Sequence, residues 1–451
     1  MAEENKGIYF TELRLQNVRC FGDEAVLKLS NDKGEWSRWN VILGDNGTGK
    51  TTLLQCLAGL EQHSSPSNDG SWSADIEDRK QSFLRLSNLS NNLKPADVTG
   101  VVKISKTELV PLNFTEFLEG GFLTTVLYDS RIKNLFILGY GANRRISFQI
   151  FSKKEINPEI SSTLFDDDAK LINTEEWLYQ MDYSAYSYIV TSGSTQVPTN
   201  DNEIRKFTKD FRNKIENILL GVLPDIAKIR FTKSEKINQL PKIEFKTPYG
   251  WVGINQLSYG YKTMVAWIVD VAAQMFKRYP DSANPLEEPV IILVDEIDLH
   301  LHPKWQRQIF DFLEKRFPRA QFIVTAHSPL IVQSAPKDAN IIVLKKEQVG
   351  DEFVVKIDND TKSVWNWRID QIMASDLFGL DSLRNPEIER LMNERTSLIQ
   401  KDSLTVDEQS RLDELNDLSD RLPTADNPTD IKAMEIIREA ADYIKNKQKA
   451  Q

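Results

Sequence analysis

The stretch Gly44-Asp45-Asn46-Gly47-Thr48-Gly49-Lys50-Thr51 constrains this chain more than any other. It follows the apolar run Trp39 to Leu43 and opens a helical pattern that runs through Leu60. A strand that turns through a glycine-rich loop into a helix is the setting of a Walker A phosphate cradle. Its glycines let backbone N–H groups close round phosphate oxygens, and the helix N-terminus adds partial positive charge. Gly44, Asn46, Gly47, Thr48, Gly49 and Thr52 are therefore candidate nucleotide-binding positions. Lys50 is expected to neutralise the β and γ phosphates, and the Thr51 hydroxyl to ligate Mg²⁺.

A second element is VIILVDE, in which a continuous apolar strand, Val290 to Val294, delivers Asp295 and Glu296 to its C-terminal end. Open α/β sheets bind ligands at that edge. Asp295 is the expected Mg²⁺ partner, and Glu296 the expected general base for an attacking water. On its own such an acidic pair reads equally as a helix cap; the glycine-rich loop tips the reading to catalysis. In FIVTAHSPL, His327 follows a strand directly and so reaches the same edge. His300 and His302 add no convincing zinc set to it, because no cysteine or carboxylate completes one.

Strand, helix and strand in this order, with apolar runs that do not alternate, predict a parallel sheet covered on both faces. Residues 8 to 30 read as paired strands, and KIEFKTPYGWVGINQLS as a hairpin leading into a long helix from about Gly260. Residues 203 to 223 carry apolar side chains at spacings of three and four, an amphipathic helical pattern. Between 386 and 422 a leucine pattern interrupted by Thr405 and Glu408, a capping box, predicts a short helical hairpin. The expected organisation is an N-terminal half of the head at 1–65, an insertion and lid region at 66–240, the C-terminal half of the head at 241–350, and a helical region for oligomer or partner contacts at 351–451.

The 451 residues, 40% hydrophobic and 27% charged, can bury a sizeable core. No apolar run approaches the roughly 18–20 residues that span a bilayer, and the N-terminus lacks the order of a signal peptide, so a cytoplasmic, membrane-free protein is expected. Cys20 and Cys56 are too few for a disulfide framework. The net charge of −10 disfavours broad adhesion to nucleic acid. Locally the balance reverses between 203 and 236, with nine Lys or Arg against five acids, although a solvated helix face accounts for that as well.

Leu257-Ser258-Tyr259-Gly260-Tyr261-Lys262, just before the long helix, resembles the signature of the ABC/SMC ATPase superfamily. The resemblance implies an α/β, ABC/SMC-type P-loop ATPase head with a mixed sheet, a helical insertion and a helical C-terminal region, with ATP and Mg²⁺ as ligands. It implies that Ser258 and Gly260 contact the γ phosphate held by the opposite protomer of a head-to-tail dimer, and that His327 is a catalytic γ-phosphate switch. Tyr259 and Tyr261 depart from the commonest signature and leave the rate of hydrolysis open. Asn17-Val18-Arg19-Cys20-Phe21 resembles the Asn-Phe-Arg-x-Phe segment of SMC-like and RecF-like ATPases, which makes Arg19 a candidate phosphate or base contact. Gly139 to Arg144 resembles the loop in which other ABC ATPases carry a lid glutamine, but no glutamine aligns there.

Over most of its length the chain resembles compact SMC-like ATPases of bacterial defence. Its tail, from DQIMASDLFGL to IKAMEIIREAA, is most similar to the PtuA-type ATPases of the Septu anti-phage system. This implies a sensor and regulatory ATPase, a higher homo-oligomer, a separate HNH-type nuclease partner, and DNA reached through the complex. None of the four histidines stands in an HNH-like setting, so the chain itself is not expected to cut DNA. Alternatives are an ATPase like that of the PARIS defence system, acting with a Toprim nuclease, and a RecF-like repair ATPase.

Overall fold

A computed structural model describes residues 7–61 (except 23), 96–104, 108–118, 122–126, 130–146, 161–177 (except 176), 216, 220, 226–232, 242–350, 352–378 (except 362, 363 and 365) and 384–422 (except 402). The chain divides into two units, residues 1–378 and 379–451. The strands are β1 (Tyr9–Gln16), β2 (Ala25–Lys28), β3 (Trp39–Gly44), β4 (Ala96–Lys103), β5 (Leu109–Leu118), β6 (Phe122–Val126), β7 (Ile137–Tyr140) and β8 (Arg145–Ile146). They continue as β9 (Lys170–Leu171), β10 (Lys228–Thr232), β11 (Lys242–Thr247), β12 (Gly250–Gly253), β13 (Val290–Val294), β14 (Ala320–Thr325), β15 (Asn340–Val349) and β16 (Glu352–Asp358).

The central sheet has the order β16-β15-β3-β14-β13-β7, with every pair parallel except β15 and β16. Its inner strands are buried on both faces, which is why they read as unbroken apolar runs. Along β13, Val290, Ile292 and Val294 enter one core, while Ile291 and Leu293 enter the other. The first core lies against the long signature helix, Tyr259–Arg278, and the helix Ile309–Arg316. The second packs the P-loop helix, Lys50–Gly59, and an antiparallel sheet of order β2-β1-β4-β5-β6 onto the opposite face. The head is thus a layered α/β unit with one parallel-dominated and one antiparallel sheet. Among the described residues, no helix is long and apolar enough to cross a membrane.

One buried amide joins the two sheets. Pairing of β1 with β4 shifts register between Phe10 and Glu12. There the Phe10 N–H donates to Gln321 Oε1 at 2.8 Å, and Gln321 Nε2 donates to Phe10 O at 2.7 Å. Gln321 also donates to Ser37 O, so both N–H bonds and the carbonyl oxygen of this wholly buried side chain have partners.

Part of the stretch read as an insertion belongs to the head. Residues 137–140 are the edge strand β7 of the central sheet, and β4 to β6 extend the sheet begun by β1 and β2. The polar run that follows Leu60, read as the edge of an insertion, lies outside the described residues from 62 to 95. The amphipathic pattern at 203–223 lies outside the described residues apart from Glu216 and Leu220. The basic run to 236 is described only there and at 226–232.

β10, β11 and β12 form a separate antiparallel sheet whose last strand leads into the signature helix. In the second unit, the helices Pro386–Ile399 and Val406–Arg421 bury Leu398, Leu412 and Leu415 between them. The Thr405 hydroxyl accepts from the Glu408 N–H, and a Glu408 carboxylate oxygen accepts from the Thr405 N–H, forming the capping box.

Candidate active site

The sheet order brings the C-terminal ends of β3, β14, β13 and β7 side by side, and with them loops distant in sequence. The P-loop leaves β3 at Gly44 and ends at Gly49, the N-cap of the P-loop helix, with φ +86°. Gly49 is required there. A side chain would adopt a left-handed backbone, and its Cβ would stand 2.5 Å from Cys20 Sγ and 2.9 Å from the Phe21 ring. The segment Asn17 to Phe21 is therefore laid against the phosphate loop. Within that segment Arg19 Nη1 donates to Thr52 Oγ1 at 3.2 Å and Gln55 Oε1 at 2.9 Å, both on the P-loop helix.

Lys50 Nζ donates to the main-chain oxygens of Gly44 at 2.7 Å and Asp45 at 2.9 Å. Burial pushes its pKa below the ordinary lysine value, opposed by Asp295, Glu296, Asp45 and Asp298. A largely buried cation that donates to neutral carbonyls is suited to an incoming polyanion. Thr48 stabilises the loop from inside, its hydroxyl donating to Asp45 O at 2.8 Å. Asn46 O accepts from Lys346 Nζ of β15 at 2.9 Å.

Thr51 and Asp295 meet directly. Thr51 Oγ1 donates to Asp295 Oδ2 at 2.6 Å, and Thr325 Oγ1 donates to Asp295 Oδ1, also at 2.6 Å. Asp295 is 4% exposed, and both of its carboxylate oxygens are engaged. Thr325 also accepts the Glu296 N–H at 2.7 Å, so a single hydroxyl orients both acids. Glu296 holds φ at +48°, in the left-handed region, a conformation that costs about 1–3 kcal/mol for a side-chain-bearing residue. Strain of this kind persists where the surroundings determine it and clusters at working sites.

After Glu296 the chain turns through Asp298 to His302. The Asp298 carboxylate accepts the His327 N–H, at 3.1 Å to Oδ2, while the rest of His327 is exposed at the end of β14. Ser258 is the N-cap of the signature helix, exposed, and makes no side-chain capping hydrogen bond. Gly260 lies against the turn after Glu296: a Cβ there would stand 2.2 Å from the His300 carbonyl oxygen. His300 is itself left-handed, φ +63°, and its ring meets Tyr259 edge-on with centroids 4.9 Å apart. The signature and the turn after Glu296 are one packed unit within a chain.

Two residues that the sequence did not single out are central here. Thr325 lay unflagged inside FIVTAHS, although a hydroxyl at the end of the strand beside β13 is well placed to orient its acids. Arg144 ends the loop after β7, and its guanidinium donates to the carbonyls of both Asp295 and Glu296. It stood in the segment searched for a glutamine.

A family model described as "AAA domain, putative AbiEii toxin, Type IV TA system" matches residues 39–333, more than half of the chain and every motif above except Arg19. The chain belongs to that family. This AAA domain is an ATPase. It is similar to "Retron Ec83 probable ATPase" of Escherichia coli, 24% identical over 75% of this chain and 71% of that protein. It is also similar to "Septu protein PtuA" of Bacillus thuringiensis, 23% identical over 83% of this chain and 85% of that one. Septu protein PtuA of Bacillus mycoides (strain KBAB4) is 23% identical over 95% of this chain, which spans 53% of that longer protein. Among solved structures, an Smc head bound to the C-winged helix domain of ScpA is 16% identical with a TM-score of 0.44, covering 79% of this chain and 99% of that one.

Proposed function

We propose that this AAA-type ATPase is the ATP-binding and ATP-hydrolysing sensor and regulatory subunit of a bacterial anti-phage defence complex, controlling a separate HNH-type nuclease. The observation that carries the reading is the likeness to PtuA of Septu along 83% and 95% of the chain. That likeness spans both halves of the head and does not stop at the P-loop.

In this reading the P-loop amides and Lys50 hold the phosphates of ATP, with Arg19 and Thr52 beside them. Thr51 and Asp295 hold Mg²⁺, and a hydroxyl and a carboxylate 2.6 Å apart are the hard oxygen donors that ion takes. Bound there, it would offset phosphate charge. Glu296 takes a proton from the water whose oxygen attacks the γ phosphorus, while the bond to the β-γ bridging oxygen breaks and ADP departs. His327 meets the γ phosphate. Ser258 and Gly260 of a second copy close the site, which gives a head-to-tail dimer built into a higher homo-oligomer; DNA is reached through the nuclease complex.

The test is co-purification of the tagged protein expressed from its native operon, with mass spectrometry of the eluate and plasmid cleavage assayed with and without ATP. The expected result is a small HNH nuclease in the eluate and cleavage that responds to ATP. Recovery with a Toprim nuclease, or alone with hydrolysis that requires DNA, overturns it in favour of a PARIS-like or a RecF-like ATPase.

A further inference from the structure

Arg144 has no part in the roles above. β7 is parallel to β13 and next to it, and the Asp295 N–H donates to Tyr140 O at 2.8 Å, so the loop after β7 emerges beside the two acids. Arg144, 6% exposed, ends that loop. Its Nη2 donates to the Asp295 carbonyl at 3.2 Å and the Glu296 carbonyl at 2.6 Å. Glu296 is thus held on both sides of its left-handed Cα, by Thr325 at its N–H and by Arg144 at its carbonyl.

We infer that Arg144 is a positioning residue for ATP hydrolysis, fixing the strained backbone from which Glu296 presents its carboxylate. One guanidinium nitrogen at the end of Arg144 reaches two successive carbonyls, and a lysine ammonium, on a shorter stem, falls short of them. The inference rests on the general-base role proposed for Glu296. It differs from a purely stabilising role in what it predicts: the chemical step suffers while nucleotide binding does not.

The experiment uses the full chain with Arg144→Lys, Arg144→Gln, Glu296→Gln and the Arg144→Lys/Glu296→Gln pair. Steady-state ATP hydrolysis is measured together with the affinity for a fluorescent ATP analogue and the melting temperature. Arg144→Lys is expected to lower kcat on the order of 10- to 100-fold, the scale of a misplaced catalytic group. Analogue affinity should stay within about twofold, and the substitution should add nothing to Glu296→Gln, since residues acting as a unit are not additive. Should Arg144→Gln fail to fold, Arg144→Lys, which keeps a buried cation, carries the comparison. The inference is overturned if Arg144→Lys leaves kcat intact while Glu296→Gln abolishes it. It is equally overturned if affinity falls in step with kcat, or if the two substitutions multiply. Normal turnover by Glu296→Gln instead removes the base assignment itself, and this inference with it.

Discussion

The Thr51 hydroxyl donates a 2.6 Å hydrogen bond to Asp295 Oδ2, so the first turn of the P-loop helix is tied to the end of β13. Thr51→Val removes that bond and a proposed magnesium ligand while conserving volume. The folded protein should lose about 1 kcal/mol, the net worth of a typical hydrogen bond, with Asp295 still held by Thr325. ATP turnover should then require several-fold more Mg²⁺. A magnesium titration of hydrolysis, run beside a urea melt, checks both; an unchanged magnesium midpoint would remove Thr51 from the metal site.

Glu296→Gln keeps the shape of the side chain and withdraws the proton acceptor. Hydrolysis is expected to fall about 10²-fold or more while ATP is still bound, and the ATP-bound form should persist as a dimer. Size-exclusion chromatography with ATP, paired with phosphate release, reads both quantities. Phosphate release at the wild-type rate would contradict the assignment.

Gly260→Ala places a Cβ 2.2 Å from the His300 carbonyl oxygen, a backbone atom that cannot swing aside. The start of the signature helix or the turn after Glu296 must move, at a cost of about 1–3 kcal/mol for overpacking. ATP turnover should drop more than ATP affinity, because the P-loop is untouched. Affinity and turnover falling together would show that the displacement spreads further than this contact.

Asp270 lies on the buried face of the signature helix, accepting the Tyr140 hydroxyl at 2.8 Å and the Ile172 N–H at 3.0 Å. Burial raises its carboxyl pKa above the ordinary 3.8, and the Ile172 and Tyr140 hydrogen bonds offset this only in part. The unfolded chain then ionises first, so this group's contribution is fully present below pH 3.8 and is lost as pH rises through the raised value. Asp270→Asn keeps an acceptor and removes that dependence. Its stability relative to wild type should therefore increase from pH 4 to pH 7 in denaturant titrations, and a constant or falling difference would refute the direction.

Much of the fold was legible because its signals are local. β13 spans the five apolar residues that read as a strand, the signature helix begins one residue from the expected Gly260, and Thr405 and Glu408 form the box their spacing implied. The P-loop could be read because its glycines answer to backbone geometry alone. Membership of β7 in the central sheet could not, since four apolar residues at an edge look the same in any sheet. Thr325 and Arg144 escaped for a related reason: each acts on main-chain or carboxylate atoms of residues that pairing between strands, not sequence proximity, brings near. The Arg19 pattern was visible, but its partners Thr52 and Gln55 depended on how two loops close on each other.

The P-loop strand β3 has β14 on one side and β15 on the other, and both are made from the last third of the chain. During synthesis β3 therefore emerges with no strand of its own sheet to pair with until residue 320 and beyond have left the ribosome. At ribosomal speeds that wait is on the order of tens of seconds. A nascent chain cut short before β14 would carry the whole glycine-rich loop yet have no rigid edge on which to display it. The order in which translation delivers the strands thus puts nucleotide binding after the emergence of β14 and β15.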